Sequence, residues 1–243
     1  MDARKKNFSE EVLLDSGVVT QKNPVQRWIK RLLYFLISPQ RWKLWLYTLF
    51  LDLKYSHAYL GIKAYNGNFS LGYVGSLCSS YQDLNHMFSL VNIKKEDVII
   101  DVGSGKGRLL NFLLSKKIKN PLIGIEVDPS IATVARKRFG RYGNVNIITG
   151  SVETVGVLNG TVFYLANPFF EPVLENFANQ LLKKIKGGCF KDANRPLIIY
   201  YYCYHLSVFE NNPEWEVKKL DGVFAALIYP AQKFYSSSST AGK

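Results

Sequence analysis

The sequence predicts an α/β fold: a parallel sheet flanked by helices, closed by an antiparallel hairpin and preceded by a helical cap. Three observations lead there. From about Lys95 onward, apolar strand-like runs alternate with amphipathic stretches of helical period. A glycine-rich turn, Gly103 to Gly107, follows the first of those runs directly. An Asp221-Gly222 pair separates the last two runs, as in a hairpin. At 243 residues and 47% hydrophobic, the chain can bury one sizeable core, so one main domain with an appendage is expected.

Residues 1–20 read as a loose basic arm, without the apolar stretch before Glu10 and Glu11 that a secretory signal needs. Residues 21–78 form the expected helical cap. Between Gln21 and Leu51 there are six Lys or Arg, no acid, and three of the four tryptophans. Lys30, Arg31, Pro39, Arg41 and Lys43 interrupt this window, which therefore predicts two short helices broken at Ser38-Pro39 rather than a membrane span.

The sheet domain is expected over 79–235. Its first strand is Asp97 to Asp101, followed by a helix that carries Leu109, Leu110, Phe112, Leu113 and Leu114. The second, Leu122 to Val127, has Glu126 near its end. Asp128 then supplies an N-cap and Pro129 a first helical position. Strand three is Val145 to Gly150, and the short gap before strand four, Thr161 to Ala166, leaves room for one helical turn at most. A helix opening at Pro172 places Val173, Leu174, Phe177, Ala178, Leu181, Leu182 and Ile185 on one stripe and stops at Gly187-Gly188. The aromatic run Leu197 to Tyr204 is strand five. The hairpin strands lie on either side of Asp221-Gly222, and residues 236–243 form a low-complexity tail.

A net charge of +12 and a pI near 9.5 favour an anionic partner. Cys78, Cys189 and Cys203 are odd in number and share no C-x-x-C spacing, so neither a disulfide framework nor a zinc site is expected, and a reducing cytosol is the simplest compartment. The basic aromatic segment Arg27 to Tyr55 reads as a cap packed on the sheet domain or as a peripheral element at an anionic membrane surface. Nucleic acid ranks below these, because no known nucleic-acid module is spelled.

The glycine turn is selective about its guest. Aligned on Gly105-Lys106, a phosphate-binding P-loop would need glycine at Ile100 and a hydroxyl at Gly107. A dinucleotide fingerprint would need glycine where Arg108 stands. The remaining pattern suits S-adenosylmethionine, whose methionine arm carries an ammonium and a carboxylate in place of a pyrophosphate. Asp101 answers the ammonium, and Gly103, Ser104, Gly105 and Gly107 let the backbone and the next helix's N-terminus approach the carboxylate. Glu126, 19 residues past Gly107, is placed to accept hydrogen bonds from both ribose hydroxyls.

On these residues, Val98 to Tyr229 resembles the class I S-adenosylmethionine-dependent methyltransferases, with Val98 to Arg108 as first motif and Ile123 to Ser130 as the ribose-binding one. The spelling is similar to small bacterial methyltransferases and, more weakly, to non-SET protein lysine methyltransferases. The resemblance implies a Rossmann-like sheet of seven strands with the last antiparallel, Val127 beside the cofactor, and an acid after strand three where this chain has Ser151. Ala166-Asn167-Pro168-Phe169-Phe170 is similar to the N-P-P-[FY] segment of amine and amide methyltransferases, in which the Asn holds the acceptor nitrogen; here Phe169 replaces the second proline. The expected catalytic set is Asn167, Pro168, Phe169 and, as a base for a hydroxyl acceptor, His205. Tyr55, Tyr81 and Gln82 are further candidate contacts. The expected function is methyl transfer to an N or O nucleophile on a cell-envelope or polysaccharide precursor, with protein lysine methylation or a non-catalytic cofactor scaffold as alternatives. No metal is expected, and the sequence leaves the oligomeric state open.

Overall fold

The computed structural model describes residues 39–60, 78–190 and 195–234. The basic arm, the first short helix before Pro39 and the tail 236–243 lie outside the described residues. By its contacts the chain divides into Met1–Phe50 and Leu51–Lys243, with helix α1 (Pro39–Ser56) contributing residues to both. No described helix is long and apolar enough to cross a membrane.

The second unit holds the seven-stranded sheet. In chain order its elements are α2 (Tyr81–Ser89), β1 (Ile99–Val102), α3 (Arg108–Ser115), β2 (Leu122–Glu126), α4 (Pro129–Phe139), β3 (Val145–Thr149), α5 (Val152–Val155), β4 (Val162–Ala166), α6 (Glu171–Lys186), β5 (Leu197–Tyr201), α7 (Ser207–Glu210), β6 (Trp215–Lys219) and β7 (Ala225–Pro230). The strand order is β3-β2-β1-β4-β5-β7-β6. All pairs are parallel except those of β7, which runs antiparallel to both β5 and β6. The order reverses between β1 and β4, so the carboxyl ends of these two strands form the edge where open α/β sheets bind ligands.

Each face of the sheet buries its own core. One gathers Tyr81, Leu84 and Met87 of α2, Leu109 to Leu114 of α3 and Ala132, Ala135 and Phe139 of α4. The other gathers the α6 stripe with Phe209 and Trp215. All seven residues of the expected α6 stripe are buried. Asp128 caps α4 through its carboxylate, which accepts from the Ser130 and Ile131 N–H groups at 2.7 and 3.2 Å, with Pro129 behind it. The gap between β3 and β4 holds only the single turn α5.

Several strand boundaries differ from expectation, and two of them show a physical cause. β1 begins at Ile99, because Asp97 is spent on a turn: its carboxylate accepts from the Lys94 N–H at 2.6 Å and the Thr161 hydroxyl at 2.7 Å. β5 ends at Tyr201, because Tyr202 turns into the left-handed region with φ 52°, and the next residues lead into the short helix α7.

Candidate active site

The glycine turn is built by backbone demands that only glycine meets cheaply. Gly103 has φ 74°, and a Cβ there would lie 2.7 Å from the Cβ of Pro168. Gly107 has φ 85°, and its Cβ would overlap the Phe139 ring of α4. The first contact brings the turn after β1 hard against the segment after β4. The second seats α3 on α4. The N–H groups of Gly103 and Ser104 both donate to the Ile125 carbonyl at 2.9 Å, fixing the turn to β2.

Two carboxylates lie beneath it. Glu126 accepts from the Gly105 N–H at 2.7 Å and the Asp128 N–H at 2.9 Å. Burial raises its titration, and these bonds partly offset the rise. Asp101, only 4% exposed, accepts no hydrogen bond among the described residues. Burial, with the Glu126 charge next to it, pushes its carboxyl up to about 8. A buried carboxylate without a donor, facing another carboxylate, calls for a cation. The Ser104 hydroxyl is likewise buried with no partner among the described residues. These features fit a ligand with an ammonium, a carboxylate and a ribose. Asp101 would hold the ammonium, the turn and the first α3 N–H groups the carboxylate, and Glu126 the ribose hydroxyls through its remaining lone pairs.

Asn167 stands one residue beyond β4 with φ 47°, a conformation in which Asn is the commonest residue after glycine. Its Oδ1 accepts from the Tyr200 hydroxyl at 3.2 Å, and the Tyr200 oxygen in turn accepts from the His205 N–H at 3.4 Å. Tyr200 thus orients the Asn167 amide. It sits in an aromatic run in which hydrophobic pattern alone does not show which hydroxyl reaches the site.

Phe169, expected in the catalytic set, is 3% exposed and packs on Phe177, as the chain enters α6 with one aromatic turned into the core. The half-buried aromatic of the segment is Phe170, the N-cap residue of α6. The His205 ring lies beside Glu171, Nδ1 4.0 Å from Oε2, and no bond joins it to Asn167. Ser151 caps α5 by accepting from the Thr154 N–H at 3.2 Å, which commits part of its hydroxyl to the backbone. Val127 is exposed at the end of β2. Of the three weaker candidates, Gln82 is exposed and Tyr55 half-buried. Tyr81 is interior, its hydroxyl donating to Asp52 at 2.6 Å.

No family model matches the chain. It is 35% identical over 72 residues to the "Probable ribosomal RNA small subunit methyltransferase A" of Methanosarcina barkeri, covering 30% of this chain and 24% of that protein. It is 33% identical over 86 residues to the "tRNA1(Val) (adenine(37)-N6)-methyltransferase" of Shewanella amazonensis, 33% of this chain and 36% of that one. To the "Ribosomal RNA small subunit methyltransferase A" of Clostridium acetobutylicum it is 24% identical over 166 residues, 58% and 59% of the two chains. The chain therefore spans between about a quarter and three fifths of the length of these relatives. Over the matched stretches the chain is thus similar to S-adenosylmethionine-dependent methyltransferases, and its sheet order is that of a Rossmann-like α/β fold.

Proposed function

We propose that the chain is an S-adenosylmethionine-dependent methyltransferase whose acceptor is the exocyclic amine of an adenine in RNA. The contact of Gly103 with Pro168 carries this reading, because it holds Asn167 against the cofactor turn at the strand-order reversal. The acceptor class is supported by the names of the relatives, which act on ribosomal or transfer RNA, and by the charge of +12. None of them points to the cell-envelope precursor or protein lysine expected from sequence, so those acceptors give way to RNA.

When bound, the cofactor supplies a methyl group on an electron-poor sulfur, so the protein's task is to orient the acceptor. The Asn167 Oδ1, held by Tyr200, and the neighbouring main-chain carbonyls accept the amine hydrogens and turn the nitrogen lone pair toward the methyl carbon. The half-buried Phe170 offers a ring face for the adenine. An aromatic amine needs no strong base; its extra proton leaves to solvent, and His205 has no required part.

The test is transfer of a labelled methyl group to total RNA, followed by nuclease digestion and identification of the modified nucleoside. The expected product is N6-methyladenosine, with the rate falling about 10²- to 10³-fold in Asn167→Ala while cofactor affinity, measured by calorimetry, is retained. Label in protein or polysaccharide but not in RNA overturns the acceptor class; cofactor binding with no transfer to any fraction leaves a scaffold.

A further inference from the structure

Register sets a row of three residues along the carboxyl edge of the sheet. Ala166 of β4 pairs with Tyr201 of β5, and Tyr201 pairs with Ala225 of β7. The next residues, Asn167, Tyr202 and Phe224, are therefore lateral neighbours, and the Tyr202 N–H donates to the Phe224 carbonyl at 2.8 Å. Asn167 and Tyr202 are both left-handed, at φ 47° and 52°. Such a backbone is strained in a bulky aromatic and is kept where the surrounding structure demands it.

The strain has a visible result. With Tyr202 turned back, the Tyr204 N–H donates to the Tyr202 carbonyl at 2.8 Å, and the Tyr204 ring stands edge-on to Phe224 with centroids 5.0 Å apart. Tyr202 is fixed too, stacked on Tyr201 at 3.8 Å, whose hydroxyl donates to Asp83 at 2.5 Å. Tyr204 is nevertheless 60% exposed, the most exposed large apolar side chain among the described residues. A ring held in one orientation and left in water is poor use of apolar surface for stability alone.

We infer that Tyr204, braced by Phe224, is a stacking platform for a nucleobase that flanks the methylated adenine in single-stranded RNA. Two strand spacings separate Asn167 from Phe224, about 10 Å, which two to three nucleotides span at about 3.4 Å each. Aromatic stacking is indifferent to base identity, so the platform supplies affinity and registers the strand without reading sequence. The inference rests on the RNA reading above.

The test is a two-by-two cycle in equilibrium binding and methyl transfer. A 12-nucleotide single-stranded RNA with one adenosine, and versions of it abasic two or three positions away on either side, are titrated with the intact protein, Tyr204→Ala and Tyr204→Phe. Stacking predicts that Tyr204→Ala weakens the complete RNA about tenfold, that Tyr204→Phe does not, and that one abasic position abolishes the difference between wild type and Tyr204→Ala. Equal losses on complete and abasic RNA, or no loss, overturn the platform. RNA that shows the cycle but takes no methyl group overturns the proposed function while the platform stands. Methyl transfer without the cycle does the reverse, and failure to bind any RNA overturns both.

Discussion

Burying the Asp101 carboxyl beside Glu126 lifts its titration to about 8, far above the ~3.9 of an unfolded aspartate. The sign follows from linkage: Asp101's contribution to stability is fully present below about 4 and is lost as pH rises toward about 8. Asp101→Asn removes the liability, so without cofactor its melting temperature should exceed wild type at pH 9 and match it more closely at pH 4. A bound ammonium reverses the preference and draws the proton off. Cofactor binding at pH 7 should therefore release close to one proton, and affinity should fall by up to about tenfold per pH unit below 8. Calorimetry in buffers of different ionisation enthalpy reads that proton; its persistence in Asp101→Asn would remove Asp101 from the site. Asp101 and Glu126 are legible in the sequence because their spacing from the glycines follows from strand and helix length. Tyr200 is not, since its bond to Asn167 joins two strands 33 positions apart in the chain.

Among elements, the helices before the sheet are tied to the glycine turn by a buried polar network. Asp52 of α1 is completely buried and accepts from the Leu60 N–H at 3.0 Å, the Tyr81 hydroxyl at 2.6 Å and Arg108 Nη2 at 3.2 Å. The Arg108 guanidinium lies 4.9 Å from the Tyr81 ring centre, and the Asn111 amide donates to Leu51 and Tyr81. Arg108, which counts against a dinucleotide in the sequence, is thus the residue that docks the Leu51–Ser56 end of α1, and α2, on α3. Removing one member leaves the others buried and uncompensated. Asp52→Ala should cost about 3–5 kcal/mol in urea unfolding, and adding Arg108→Met should recover part of that loss. Additive losses would mean that the two groups do not act as a pair. Helical stripes such as α6 are readable from spacing, because the 3.6 period is local. The early end of β5 is not, because an aromatic run favours strand and only the neighbours that hold Tyr202 left-handed override it.

For the whole molecule, the excess of twelve positive charges bears on the proposed RNA acceptor. Binding of a single-stranded RNA should weaken linearly in log salt, with a slope of about −2 if some three phosphates are neutralised at about 0.7 each. A flat dependence would leave stacking alone and argue against a charged track. By itself the sequence determined the α/β class, the order of the strands in the chain, the glycine turn and its two acids, because each is a local matter of period, turn chemistry or spacing along one βαβ unit. Only the tertiary structure decided that Gly103 abuts Pro168, that Phe169 belongs to the core, that Tyr200 orients Asn167 and that Tyr204 stands braced at the edge. Those relations depend on which strands become neighbours and in what register. That is settled by burying both sheet faces at once, and no local stretch of chain encodes it.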